Sequence, residues 1–336
     1  MSSTGVLRIS EARGRAASRR PFAEGPTLFD QGAPERVDRA FPDGRPSASR
    51  YTEAASPHDA LLALDIETVV DTDLLPVDWP ADRFPKAAWH KVVAISFVEA
   101  AIVRDPCDGT ERFRIRCCRS GGEPGWSEER LLRAFWKHFE GGRFRIVSWN
   151  GRNFDIPTLL MRSLRHGIAA PAWFLRGTKW AGYGYRQAVD WHADVMEALS
   201  HFGASSKLTL DEGAALIGLP GKLGEHGSHV AALIEAGEIG RVRDYCETDT
   251  LNLVVLYYRW AYLTGRINAD AHDGAVADLM SYLKQEGFGR PHLARFLDAW
   301  ILASNDRSAF VGSEARKRGV AGVLAALDSG ADCVTH

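Results

Sequence analysis

The order in which strand-like and helix-like patterns follow one another constrains this 336-residue chain more than any other feature. Three strand patterns come first: the apolar run 61–67, the run 92–102, and residues 113–118, whose apolar side chains alternate with Arg112, Arg114 and Arg116. Residues 126–139 then switch to helical spacing, with Leu131, Leu132, Phe135, Trp136 and Phe139 on one side. Ser127 is the expected N-cap and Gly141-Gly142 ends the element. A fourth strand is predicted at 144–149 and a fifth at 188–192, with helices over 157–166, 209–217, 228–236 and 238–263. A meander of three strands followed by strand–helix alternation implies an α/β fold, a mixed five-stranded sheet covered on both faces. Helical spacing over 271–286 and 291–302 adds C-terminal helices packed against it.

Residues 1–58 hold six of the 15 prolines, seven Ser and five Gly, with no periodic apolar run, and are expected to be a disordered tail. The folded domain is expected over 59–302. Residues 303–336 carry weak signals, with one helix around 314–327, and make a C-terminal tail whose role the pattern leaves open.

With 41 Lys+Arg against 43 Asp+Glu, the net charge of −2 excludes a histone-like polycation and an acidic solvating chain. Local patches therefore decide any affinity for nucleic acid. Five cysteines (Cys107, Cys117, Cys118, Cys246, Cys333) form no CxxC pair, which argues against a disulfide framework or zinc knuckle and for a reducing compartment. Charges interrupt every apolar stretch short of 18 residues, and the N-terminus lacks a secretory apolar core, so a cytoplasmic protein without a membrane partner is expected.

Three places put acids where packing does not ask for them. Asp65-x-Glu67 closes the first strand pattern, and residues i and i+2 of a strand project to one face. Two carboxylates so placed repel each other unless a cation intervenes, and Mg²⁺ prefers such oxygen ligands. A solvated strand end remains the other reading. The segment Asn150-Gly151-Arg152-Asn153-Phe154-Asp155-Ile156-Pro157 follows the fourth strand, at the sheet edge where α/β proteins bind ligands. Asp155 there is either an N-cap or a site acid, flanked by the amides of Asn150 and Asn153. On the long helix, Tyr245 and Asp249 stand four apart on one face. Between them, Cys246 has no His near in sequence and reads as a small buried apolar residue rather than a nucleophile.

Together, DxE, NGxxFDxP and YCxxD occur in that order, 90 and 94 positions apart counted from Asp65 to Asp155 and from Asp155 to Asp249. This combination resembles the DEDDy group of 3′–5′ exonucleases, ribonuclease-H-like domains that include the proofreading domain of family-B DNA polymerases. Phe84-Pro85, the run His90-Lys91-Val92-Val93-Ala94-Ile95-Ser96, and Leu216-Ile217-Gly218-Leu219-Pro220-Gly221-Lys222 resemble its stand-alone bacterial branch. The resemblance spans roughly 61–265 and extends through the helices to Trp300.

The resemblance implies a ribonuclease-H-like fold and a catalytic set of Asp65, Glu67, Asp155, Tyr245 and Asp249. The four acids would hold two divalent cations, Mg²⁺ or Mn²⁺, with Asp65 bridging both. Thr68, Asn150, Asn153 and Phe154 are the expected substrate contacts, and the partner is the single-stranded 3′ end of a nucleic acid, DNA favoured. A binding module without catalysis and an exoribonuclease are the alternatives.

The window 141–190 has eight Lys+Arg (Arg143, Arg145, Arg152, Arg162, Arg165, Arg176, Lys179, Arg186) against Asp155 and Asp190, interleaved with eight aromatics. Such a pattern suits a strand whose phosphates are tracked and bases stacked, and residues 173–185 are its expected contact segment. Lys222 is placed to approach a phosphate, unless it is an ordinary loop lysine.

Overall fold

The computed structural model describes residues 58–80, 82–223, 229–304 and 309–328. The expected N-terminal tail, apart from its last residue His58, lies outside these residues, as do 329–336. Five strands form one sheet: β1 (Ala60–Val70), β2 (His90–Arg104), β3 (Glu111–Ser120), β4 (Phe144–Ser148) and β5 (His192–Asp194), in the order β3-β2-β1-β4-β5. β1 to β3 run as an antiparallel meander, while β4 is parallel to β1 and β5 to β4. This is the expected mixed, ribonuclease-H-like sheet.

Ten helices are described: α1 (Glu128–Gly141), α2 (Asp155–Arg165), α3 (Pro171–Leu175), α4 (Val195–Leu199), α5 (Leu210–Leu216), α6 (Val230–Glu235), α7 (Ile239–Leu263), α8 (Ala269–Glu286), α9 (Pro291–Ala303) and α10 (Ser313–Asp328). β1 is central and buried on both faces. Its Leu61 and Ala63 pack with α7, α8 and α9, whereas Leu62, Leu64 and Ile66 pack with α1 and α2. The period-2 alternation of that strand therefore sends Asp65 and Glu67 to the α7 side.

The structure moves two features from where the sequence pattern puts them and bears out a third. β5 spans His192–Asp194 rather than 188–192, because Trp191 N and His192 N both donate to Ala188 O and close a turn there. α2 opens at Asp155 itself, with Phe154 at the N-cap and no side-chain cap, so Asp155 is not spent on capping. The weak signal near 314–327 is a real helix, α10, packed on α8 and broken at Gly319, whose φ of 63° is left-handed. Ser127 caps α1 as expected, accepting from Arg130 N.

β3 is an edge strand, and α7 and α8 close its edge with side chains. Ile115 N donates to Asp278, Cys118 N to the Tyr282 hydroxyl and Ser120 N to Glu247. An exposed ladder edge is thereby satisfied without another strand.

Under the sheet's other end, Arg145 is fully buried in β4 and makes a bidentate pair with Glu111 at 2.7 and 2.8 Å, joined by the Tyr257 hydroxyl at 3.0 Å. Burial alone would push the Glu111 carboxyl up, yet the surrounding arginines Arg145, Arg266 and Arg104 hold it below the usual range. Removing one partner of such a pair leaves a buried uncompensated charge. Glu111→Ala is expected to cost about 3–5 kcal/mol in urea denaturation. Arg143→Ala, which breaks only an exposed pair with Asp59, is expected to cost less than about 1 kcal/mol.

Candidate active site

Four acids from three elements meet at one end of β1. Asp65 and Glu67 project from the same face of the strand, and a β-bulge follows at Glu67/Thr68, where pairing with β2 skips Val93. Glu67, Asp155 and Asp249 are buried and Asp65 is partly so.

The loop that delivers Asp155 is held by a residue absent from the sequence-based set. The Asp194 carboxylate, at the end of β5, accepts from Asn150 N and Arg152 N, each at 3.0 Å. Asn150 adopts a left-handed φ of 62°, which asparagine tolerates better than most residues. At Gly151 a Cβ would lie 2.4 Å from Ser148 Cβ and 3.5 Å from Asp155 Oδ2. Only glycine fits, and its missing side chain lets α2 bring Asp155 against the sheet.

Asp249 comes from α7, with the Tyr245 hydroxyl beside it on the same helix face. Lys222 Nζ stands 4.0 Å from Asp249 Oδ2 and 5.6 Å from the Tyr245 ring centroid. The lysine is set there by its backbone: Lys222 N donates to Asp211 and Gly221 O accepts from Asn252 of α7. Its ammonium thus faces a cage acid.

Burial and repulsion from neighbouring acids raise the proton affinity of all four acids. Burial, then Asp155, Glu67 and Asp249, raise the Asp65 carboxyl well above the usual range. Burial, then Asp249, push Glu67 up to about 8. Burial raises Asp155 to about 7 and Asp249 to about 6, the latter pulled back by Lys222 and Tyr245. Asp249 Oδ1 is buried without a hydrogen-bond partner. Burial, then the neighbouring acids Asp249, Glu67 and Asp65, raise the Tyr245 hydroxyl well above its usual range. A buried orphan carboxylate oxygen among four mutually repelling acids fits hard divalent cations held by oxygen.

Thr68 follows Glu67 and Phe154 precedes Asp155 in the chain, and the rings of His90 and Phe84 pack with them. Thr68 Oγ1 bonds His90 Nδ1 at 3.0 Å. The His90 ring stacks on Phe84 at 4.9 Å between centroids and meets Phe154 edge-on at 5.0 Å. Phe84 is 70% exposed and its ring lies 5.7 Å from that of Phe154, the residue before Asp155. Asn153 Nδ2 donates to Asn150 Oδ1 at 2.8 Å, so these two amides form a pair on the loop beside it.

Most arginines of the basic window already have an acid or carbonyl partner, although Arg143, Arg165, Lys179 and Arg186 are exposed. Arg145 pairs with Glu111, Arg162 with Glu128 and Asp71, Arg186 with Glu197, and Arg143 with Asp59. Arg152 donates to the carbonyls of Tyr183, Tyr185 and His192, and Arg176 to those ending α1. Trp173 and Tyr183 are buried and stacked on each other at 5.1 Å. Within 173–185, Trp173 and Tyr183 are thus core, whereas Phe174, Leu175 and Trp180 are exposed, the last with Lys179 over its ring.

A carboxylate cage of this kind on a ribonuclease-H-like sheet defines a nuclease-type domain. Residues 82–300 match the family described as predicted 3′–5′ exonucleases related to the exonuclease domain of PolB, and the chain belongs to that family. The matched span contains Asp155, Tyr245 and Asp249, while Asp65 and Glu67 lie just before it and are brought in by β1. No curated protein matches the chain.

Glu67 binds a proton far more readily in the folded chain than in the unfolded one, so its contribution to stability falls as pH rises from the usual carboxylate range towards about 8. In EDTA, Glu67→Gln should melt higher than the wild type, with a gap that widens from pH 5 to pH 8. Mg²⁺ should stabilise the wild type more than the variant and narrow the gap. Thermal melts over that range check this, and a gap independent of pH contradicts it.

Proposed function

We propose that the chain is a divalent-metal-dependent 3′–5′ exonuclease that releases nucleotides from single-stranded or frayed 3′ ends, DNA favoured. The observation that carries this reading is the convergence of Asp65, Glu67, Asp155 and Asp249 around the orphaned Asp249 Oδ1. These four side chains would hold two ions, Mg²⁺ or Mn²⁺. Such ions, when bound, supply an activated water and stabilise the departing 3′ oxygen.

The chain's own groups supply position and protons. Tyr245, beside Asp249, would orient the attacking water or accept a hydrogen bond from it. Lys222, at the same acid, lies where it can meet a non-bridging phosphate oxygen. Phe84 and Phe154 offer apolar ring faces to the terminal base, and stacking of this kind tolerates any base. Thr68 and the Asn150–Asn153 pair offer polar groups to sugar and phosphate. No covalent intermediate is required: Cys246 is buried among acids that keep its thiol protonated, and it is not a nucleophile.

The test is a degradation assay on 5′-labelled single-stranded DNA, duplex DNA and RNA with Mg²⁺ or Mn²⁺. A ladder that shortens from the 3′ end on single strands is expected. Asp65→Ala and Asp249→Ala should each lower the rate by about a thousandfold or more. Both should melt no lower than the wild type in EDTA, because each removal relieves repulsion. A double variant that still degrades the oligonucleotide would sink the assignment.

A further inference from the structure

Cys246 has a role that its burial alone hides. Asp65, Ser96 and Ser120 are direct register partners across β1, β2 and β3, so their side chains share the sheet face that α7 covers. Cys246 comes down from α7 onto the first of them. Its Sγ lies 3.4 Å from Asp65 Oδ2 and 3.5 Å from Asp65 O. One ligating atom from each of Asp65, Glu67 and Cys246 falls within 4.8 Å of the others.

The row continues away from the cage. Ser96 Oγ and Ser120 Oγ are 2.7 Å apart, and Ser120 donates to Glu247 Oε1 through its hydroxyl at 2.9 Å and its backbone N–H at 2.6 Å. Glu247, next to Cys246 in sequence, is tied on its other oxygen to His292 Nε2 at 2.7 Å and to Arg290. His292 belongs to α9, and Arg290 stands at that helix's N-cap. A polar line therefore runs from α9 to the floor of the cage, and such networks hold their members in one arrangement.

We propose that Cys246 is a positioning residue for Asp65, whose thiol donates to the carboxylate and fixes the face it turns to the cage. The proposal rests on the reading of Asp65 as a cation ligand. A thiol suits this position because it donates weakly and, protonated, carries no charge to compete with the cation. Partners that orient a ligating carboxylate typically govern metal affinity by about 10- to 100-fold.

The experiment is a calorimetric titration of Mn²⁺ into the purified full chain without nucleic acid. The proteins compared are the wild type, Cys246→Val, Cys246→Ala and Cys246→Ser. Valine keeps an apolar filling of similar volume and removes the donor, whereas serine keeps a donor. Val and Ala are expected to weaken Mn²⁺ binding by about tenfold or more, and Ser to recover most of that loss. Val binding Mn²⁺ as tightly as the wild type overturns the proposal, because the thiol would then only fill space. If the wild type takes up no Mn²⁺, the reading of the four acids as ligands fails first, and the role of Cys246 with it.

Discussion

Four carboxylates crowded at the end of one strand repel one another, and much of the surrounding architecture exists to hold them there. A bulge interrupts the strand's pairing at Glu67, a glycine opens space beside Asp155, and a 25-residue helix brings Asp249 across the sheet. Each device resists a force that would otherwise spread the acids apart. Such repulsion is tolerable when a cation relieves it, and the buried, unpartnered oxygen of Asp249 marks where relief is needed.

The cationic side chains are divided between two jobs. Those with acid or carbonyl partners inside the fold, such as Arg145, Arg152 and Arg162, tie strands and loops together. Lys222 faces the cage, and it partly offsets the charge of Asp249. The aromatic residues divide likewise: Trp173 and Tyr183 fill the core, while Phe84 is exposed beside Phe154. The near-neutral total of charge conceals this separation.

Much of this is legible in the sequence because it follows from short-range periodicity. The period of two in β1 sets Asp65 and Glu67 on one face, and the spacing of four on α7 sets Tyr245 beside Asp249. The strand meander and the helix alternation likewise follow from pattern. What the pattern hides is set by contacts between distant segments. Asp194 orders the Asn150–Arg152 loop across more than 40 residues, and no local motif announces it. Cys246 reads as packing, since its partner Asp65 is 181 residues away. The window 141–190 shows the same limit: composition counts charges, but only the fold reveals that Arg145, Arg162 and Arg186 are paired with Glu111, Glu128 and Glu197. Residues 188–191 read as strand because Val189 and Trp191 are apolar, yet a turn closed on Ala188 delays the strand to His192, with only the Trp191 carbonyl accepting from Ile146 of β4.

Whether the four acids form one cation-binding cage is open to direct view. Crystals of the full chain soaked in Mn²⁺ and measured for anomalous scattering should show two peaks enclosed by Asp65, Glu67, Asp155 and Asp249. An empty cage, or Mn²⁺ bound only elsewhere on the surface, would refute it.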